Sequence, residues 1–190
     1  MDLLKKEIIE QCVVLGTNFL KVDMFLNHQI DVRLMKEIGA EFKRRFSDKP
    51  VTKILTIEAS GIAVAVITAL YFDVPVVFAR KYSETNVDSG AWESEVFSYT
   101  KKRQFKIRVA KQYINSGDHV LILDDILANG PACLGLCDIV EKAGAAVSGI
   151  GIVIEKSFQN GRKVLEENGY RIESLARIAS LEDGKIEFIE

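Results

Sequence analysis

The chain has 190 residues, 48% of them hydrophobic and 27% charged, a balance that excludes collagen-like, mucin-like and wholly disordered chains and leads us to expect one compact domain. Its 25 Lys and Arg against 27 Asp and Glu leave a formal net charge of −2, which argues against nucleic-acid binding by bulk electrostatics, so any anion site has to be local. No apolar run approaches the ~20 residues of a membrane-crossing helix, and the segment after Met1 lacks the basic start and apolar core of a secretory leader. A cytoplasmic protein that binds neither membrane nor nucleic acid is expected.

In chain order, Asp2 to about Val14 predicts a short amphipathic helix with Leu3, Leu4, Ile8 and Ile9 on its apolar side, and Gly16 to Asn27 reads as a loop. Asp31 has the position of an N-cap for a helix in which Leu34, Ile38, Phe42 and Phe46 recur every four residues, the spacing of one buried face. Ser47 to Pro50 ends that helix. Beyond Pro50, apolar runs of strand length (Lys53–Ile57, Val74–Phe78, Val120–Leu123, Val147–Ile154) alternate with helical segments at Ile62–Phe72 and Pro131–Ala143. Continuous rather than alternating apolar strands point to a parallel sheet covered on both faces, an α/β architecture. From Arg80 to Ala110 the chain turns polar and charged, with turn chemistry at Ser83–Gly90 and no clear helix; a loop or hairpin this long inside a compact domain is usually functional, often a lid. Past Gly161 come a short helix (Arg162–Asn168), a strand (Tyr170–Ile178) and a last strand (Lys185–Ile189).

Cys12, Cys133 and Cys137 contain no CxxC pair, and His28 and His119 are too few for a typical zinc site; Cys133 and Cys137, four apart on an expected helix, read as two buried structural thiols rather than two ligands, and no protein-only metal site is expected. The most informative run is Val120 to Ala132. A buried strand ends in two adjacent carboxylates, Asp124 and Asp125, a tight turn follows, and a helix starts at Pro131, a favoured first-turn residue. Free backbone N–H groups and the positive helix end suit a phosphate, while the carboxylates suit sugar hydroxyls or a magnesium ion. The plain alternative is a capped helix after a strand with no ligand. Glu58-Ala59-Ser60-Gly61 is a second strand-to-helix turn whose small residues let backbone N–H groups approach an anion. Arg80 and Lys81 follow another strand. Lys101, Lys102, Arg103, Lys106, Arg108 and Lys111 form the densest basic cluster, read first as a solvated face, and Trp92, Phe97 and Tyr99 either anchor a closed lid or pack a hairpin.

The run from Asp124 to Ala132 resembles the phosphoribosyl pyrophosphate motif of the type I phosphoribosyltransferases. Asn129, Pro131 and Ala132 replace its usual hydroxyl or glycine residues, which removes Thr donors and one N–H. A closer resemblance covers nearly the whole chain: Leu20–Asp31, Thr56–Ala63, Val76–Lys81, Asp124–Gly130 and Gly149–Gln159 look like the bacterial xanthine phosphoribosyltransferases, in which the Ala-Asn-Gly loop is itself characteristic. The region from Ser83 to Glu95 fits that pattern least.

This resemblance implies a mainly parallel sheet flanked by helices, with a base-binding hood from about 1–50 and 156–190, a core of about 51–155 and a mobile loop around 81–106. It implies transfer of a phosphoribosyl group from 5-phospho-α-D-ribose 1-diphosphate to xanthine, with Mg2+ bound to the diphosphate, in a homodimer. Asp124 and Asp125 are then the catalytic carboxylates. Ala128, Asn129, Gly130, Pro131 and Ala132 hold the 5′-phosphate, and Ala59, Ser60, Gly61 and Arg80 hold the diphosphate, Arg80 reaching a neighbouring subunit in related enzymes. Leu20, Asn27 and Lys156 contact the base, and Phe158 stacks on it. An ammonium beside an aromatic ring would favour oxopurines over adenine. Guanine or hypoxanthine as the base, and a non-catalytic sensor of the same sugar phosphate, remain the alternative expectations.

Overall fold

The computed structural model describes residues 1–82, 90–98 and 103–189. Asp31 caps as its position predicts: its carboxylate accepts the N–H groups of Arg33 at 2.8 Å and Leu34 at 3.2 Å, satisfying donors that the first turn of α2 (Val32–Arg45) leaves unpaired. The four-residue repeat Leu34, Ile38, Phe42 and Phe46 is buried as one face. Before it, α1 (Asp2–Gln11) buries Leu4 and Ile8. It stops short of the expected Val14 because Val13 and Val14, β-branched and better suited to a strand, enter a small hairpin of β1 (Val13–Leu15) and β2 (Phe19–Lys21). The stretch read as loop thus holds that hairpin, turned at Gly16 with φ +64°, and a π-helical turn over Asp23–Asn27. Burial of Leu20, Val22, Phe25 and Leu26 fixes it to the core.

The remaining strands form one sheet of eight: β3 (Lys53–Ile57), β4 (Val76–Tyr82), β5 (Ala91–Ser98), β6 (Arg103–Ala110), β7 (His119–Leu127), β8 (Ala146–Lys156), β9 (Ile172–Ser180) and β10 (Glu187–Phe188), in the order β10-β9-β8-β7-β3-β4-β6-β5. The run β9-β8-β7-β3-β4 is parallel, as expected, with antiparallel neighbours added at both edges. The polar stretch after Arg80 contains the β5–β6 hairpin; residues 83–89 and 99–102 lie outside the described residues, and with them Tyr99, Lys101, Lys102 and the tips of the expected mobile loop.

Helices α3 (Gly61–Phe72), α4 (Pro131–Lys142) and α5 (Gly161–Glu167) connect the parallel strands. On one face α1, α2 and α3 pack Leu4, Phe42 and Val64 against Leu121, Leu123 and Val153; on the other, α4 and the hairpin pack Leu136, Ile139, Val96 and Ile107 against Val120, Ile122 and Ile152. Successive residues of β7 from Val120 to Leu123 therefore feed opposite cores, and β8 likewise supplies both, which is why these strands read as unbroken apolar runs. Cys133 and Cys137 are buried free thiols in the second core, as read from their sparse spacing.

One boundary departs from expectation with consequence for the site. β7 continues to Leu127, so Asp124 and Asp125 lie inside the strand and not past its end. The ladder to β8 holds through Leu127↔Glu155, whereas the ladder to β3 stops at Leu55↔Ile122. The strand outlasts its apolar run because one neighbour alone keeps it extended.

Candidate active site

From β3 the chain crosses to β4 on one side, and from β7 to β8 on the other. Where two crossovers leave adjacent strands in opposite directions, their connections diverge and a crevice opens beyond the carboxyl ends. Here the crevice lies between β3 and β7, just where their hydrogen-bond ladder ends, and Asp124 of β7 faces it, with Asp125 next to it in the strand.

Asp124 and Asp125 are 5% and 7% exposed, and the Asp125 N–H donates to Asp124 Oδ1 at 3.0 Å. Burial and the neighbouring Asp125 carboxyl push the Asp124 pKa well above the ordinary carboxylate range, with Lys81 opposing them weakly. A group in this state gains most from a partner that donates hydrogen bonds or brings positive charge.

Both flanking helices present N-termini to this acid pair. After Asp125, Ala128–Gly130 turn the chain into α4, with Gly130 at φ +84° as a cap without a side chain and Pro131 in the first turn. With Asn129, Pro131 and Ala132 in place of hydroxyl or glycine residues, backbone N–H groups and the helix dipole are the features of this loop that could hold an anion. The loop and Asp124 line a cleft of ≈ 190 Å³ whose opposite wall includes Val96, Phe97 and Phe105 of the hairpin. Across the crevice, β3 leads through Glu58, Ala59 and Ser60 into α3; the Glu58–Ala59 peptide is cis, and Ser60 makes no side-chain capping bond. A Cβ on Gly61 would fall 2.1 Å from Thr56 Oγ1 and 3.4 Å from Asp124 Oδ1, so only glycine brings the start of α3 this close to the acid pair. The backbone N–H of Lys81 donates to Glu58 Oε1 at 2.8 Å, which ties this loop to β4.

Arg80 and Lys81 part company because successive strand residues face opposite ways. The field of Lys81 reaches Asp124, and its ammonium sits 5.8 Å from the centre of the Phe105 ring. Arg80 lines a separate groove of ≈ 430 Å³ with Phe78, Arg108 and Tyr113, and is not brought together with the acid pair. Of the basic cluster, Arg108 lies over Tyr82 at 4.5 Å, Lys111 over Trp92 at 4.7 Å, and Lys106 is 3.8 Å from Glu95. Trp92 also donates to the Ile114 carbonyl at 3.4 Å, so it packs the hairpin, whereas Phe97 lines the cleft.

At the far end of β8, Lys156 is 9% exposed and donates to the carbonyl of Asn18 at 2.6 Å, with its ammonium 5.9 Å from the centre of the Phe19 ring. Burial lowers its pKa. Leu20 is buried, Asn27 is exposed at the end of the π-helical turn, and Phe158 is 37% exposed two residues beyond Lys156. The described ring contact of Lys156 is thus with Phe19 and not Phe158.

Sequence reading passed over Asn18 and Phe19, which act on Lys156 from the small hairpin, and Thr56, which gives Gly61 its constraint. It also passed over Gly161, whose N–H donates to the Ala128 carbonyl of the phosphate-type loop at 3.0 Å. Strand alternation was signal enough to separate Lys81 from Arg80; Asn18, Phe19, Thr56 and Gly161 had none that a single sequence displays. Among the described residues no three His, Cys, Asp or Glu side chains gather as metal ligands, and no helix is long and apolar enough to cross a membrane.

Residues 21–176 match the phosphoribosyl transferase domain. The chain is 60% identical over 188 residues to the xanthine phosphoribosyltransferase of Clostridium novyi, covering 99% of each, and 55% identical over 190 residues to that of Ruminiclostridium cellulolyticum, covering 100% of each. Its fold is similar, at a TM-score of 0.74 and 19% identity, to a Saccharomyces cerevisiae adenine phosphoribosyltransferase, covering 92% of this chain and 99% of that one. The likeness extends through the crevice-bearing core on both sides of the acid pair, and the chain belongs to the phosphoribosyltransferase family.

Proposed function

We propose that the protein is a xanthine phosphoribosyltransferase of purine salvage, which transfers the phosphoribosyl group of 5-phospho-α-D-ribose 1-diphosphate to N9 of xanthine and releases pyrophosphate. The observation that carries this reading is the full-length identity of 60% to an enzyme of that name, joined to a crevice with an acid pair between two helix N-termini.

As the bond from C1′ to pyrophosphate breaks, positive charge gathers on the ribose ring, and N9 of the base approaches from the opposite face. No covalent nucleophile is required. What this chain supplies is position and a fixed field. Asp124 and Asp125 accept from the ribose hydroxyls and lie where negative charge favours a cationic sugar. Backbone N–H groups of Ala128–Ala132 hold the 5′-phosphate at the start of α4, and those of Ala59–Gly61 hold the diphosphate at the start of α3. Lys81, on the acid-pair side of its strand, adds positive charge on the same side. Lys156 donates to the 6-oxo group, with Asn27 and Leu20 at the base and Phe158 stacked on it.

The paired carboxylates also fit a hard dication such as Mg2+, and with no third side-chain ligand among the described residues its other ligands would be diphosphate oxygens and water. When bound, the ion would neutralise the leaving diphosphate. Leu20, Asn27 and Lys156 come from opposite ends of the chain, which supports one domain with a core of about 51–155 and a hood of about 1–50 and 156–190. The groove holding Arg80, with Phe78 and Tyr113 exposed beside it, supports a homodimer in which Arg80 serves the partner's site. The phosphorylated substrate and product are charged solutes that do not cross membranes unaided, which fits work in the cytoplasm.

Steady-state turnover with 5-phospho-α-D-ribose 1-diphosphate and Mg2+ tests the reading against xanthine, guanine, hypoxanthine and adenine in separate assays. Xanthine is expected to give the highest kcat/KM. No product from any base would overturn the enzyme, and a preference for guanine would overturn the substrate.

A further inference from the structure

Glu155 precedes Lys156 on β8 and, by strand alternation, points the other way. It is 1% exposed, yet charged: burial would raise its pKa, but hydrogen bonds from Arg162, Ser157 and Ser174 bring it down to about 2. Arg162 grips it as a fork, with Nε at 3.0 Å from both carboxylate oxygens and Nη2 at 2.7 Å from Oε2. Ser157 donates to Oε1 at 2.6 Å, Arg177 Nε lies 3.2 Å from the same oxygen, and Ser174 donates to Oε2. A buried carboxylate with two arginines costs desolvation that packed apolar groups would avoid, so its presence calls for an explanation other than stability.

What lies between the two ends of the fork supplies one. The eight-residue span 155–162 leaves β8, carries Lys156 and Phe158, and returns at Gly161 to touch the phosphate-type loop. The Gly161 N–H donates to the Ala128 carbonyl at 3.0 Å, and a Cβ on Gly161 would fall 2.4 Å from that oxygen. A Cβ on Gly130 would in turn meet Gly161 Cα at 3.3 Å. Arg162 then closes the span back onto Glu155. The ammonium that reads the base and the loop that holds the 5′-phosphate are thus the two contacts of a single cross-linked turn.

We propose that Glu155 and Arg162 are positioning residues: their ion pair fixes the distance between the base subsite at Lys156 and the 5′-phosphate loop at Ala128–Ala132. The proposal rests on the phosphoribosyltransferase reading above and deepens it. In-line attack needs N9 and C1′ held in register, and a misplacement of about 1 Å can cost ~100-fold in rate, so one rigid connection between the two subsites has a direct use. Arg162 also pairs with Glu166 at 2.8 Å, which anchors the guanidinium to α5 and leaves it no slack.

The test compares the unsubstituted enzyme with Arg162→Ala and Arg162→Lys, measuring KM for xanthine and for the sugar diphosphate, kcat, and Tm. Arg162→Ala is expected to lower kcat by up to ~100-fold as the register between N9 and C1′ is lost and to raise both KM values together, by ~10-fold, and Arg162→Lys, which keeps the charge but not the fork, to recover part of each. A purely structural pair would lower Tm and leave both KM values within about twofold, and that result overturns the proposal. So does a rise confined to one substrate, because the two subsites would then not be linked. Should Arg162→Ala fail to fold, Arg162→Gln, which retains one amide donor, is read by the same criteria. An unsubstituted enzyme inactive on every base would signal failure of the functional reading, whereas an active one with unmoved KM values in the variants signals failure of the linkage alone.

Discussion

Burial and the adjacent Asp125 hold the Asp124 proton to a higher pH than a free carboxyl would, and this sets the sign of a pH effect. Ribose hydroxyls donate best to an ionised carboxylate, so binding of the sugar diphosphate should tighten as pH rises through the raised pKa and weaken below it. Asp124→Asn should raise KM for the sugar diphosphate by about 10- to 100-fold, the loss of a hydrogen bond to a charged group, and flatten its pH dependence. A KM-against-pH series that keeps its slope in the variant would remove Asp124 from this role. Gly61 makes a prediction of a different kind, since an added methyl group has Thr56 Oγ1 in its way. Gly61→Ala should cost about 1–3 kcal/mol of stability in calorimetry, and more in activity, as the start of α3 is pushed from Asp124.

At the scale of elements, α2 shows how a repeat becomes a packed face. Phe42 is fully buried against the sheet, and Phe42→Ala should cost about 3–5 kcal/mol in chemical denaturation. Phe19, 53% exposed on β2, should lose less than about 0.5 kcal/mol on the same change and report instead through KM for the base. The difference between these two elements is also the difference in what sequence could reveal. α2 spans fourteen residues with a cap and an apolar side chain at every fourth position from Leu34 to Phe46, the residue that ends it, so pattern alone locates it. Strands β1 and β2 have three residues each, and their pairing depends on the turn at Gly16 and on burial of Leu20 by distant parts of the chain. The site divides in the same way. Its acid pair and phosphate-type loop are contiguous, and both were legible in Val120–Ala132. The partner of Lys156 is a backbone carbonyl 138 residues away, and a carbonyl leaves no mark in residue identity.

For the whole molecule, the salt-linked Glu155 predicts how stability responds to acid. Its pKa falls from an ordinary 4.5 to about 2 on folding, so its contribution is fully present above about 4.5 and is lost as pH drops through about 2. Two and a half units correspond to roughly 3 kcal/mol, and Glu155→Gln should therefore be less stable than the parent at neutral pH and converge on it near pH 2 in denaturant titrations. Parallel curves across that range would refute it. A different consequence follows from where α1 rests. Leu4 and Ile8 share their core with Leu175, Ala176 and Ile178 of β9, a strand translated more than a hundred and sixty residues later than Leu4. During synthesis the first helix can therefore meet α2 early, but the part of its apolar side that β9 covers stays open until that strand has left the ribosome. Expression should be most sensitive to chaperone supply in that interval, and a ribosome stalled before β9 should carry a nascent chain whose first residues are still open to protease.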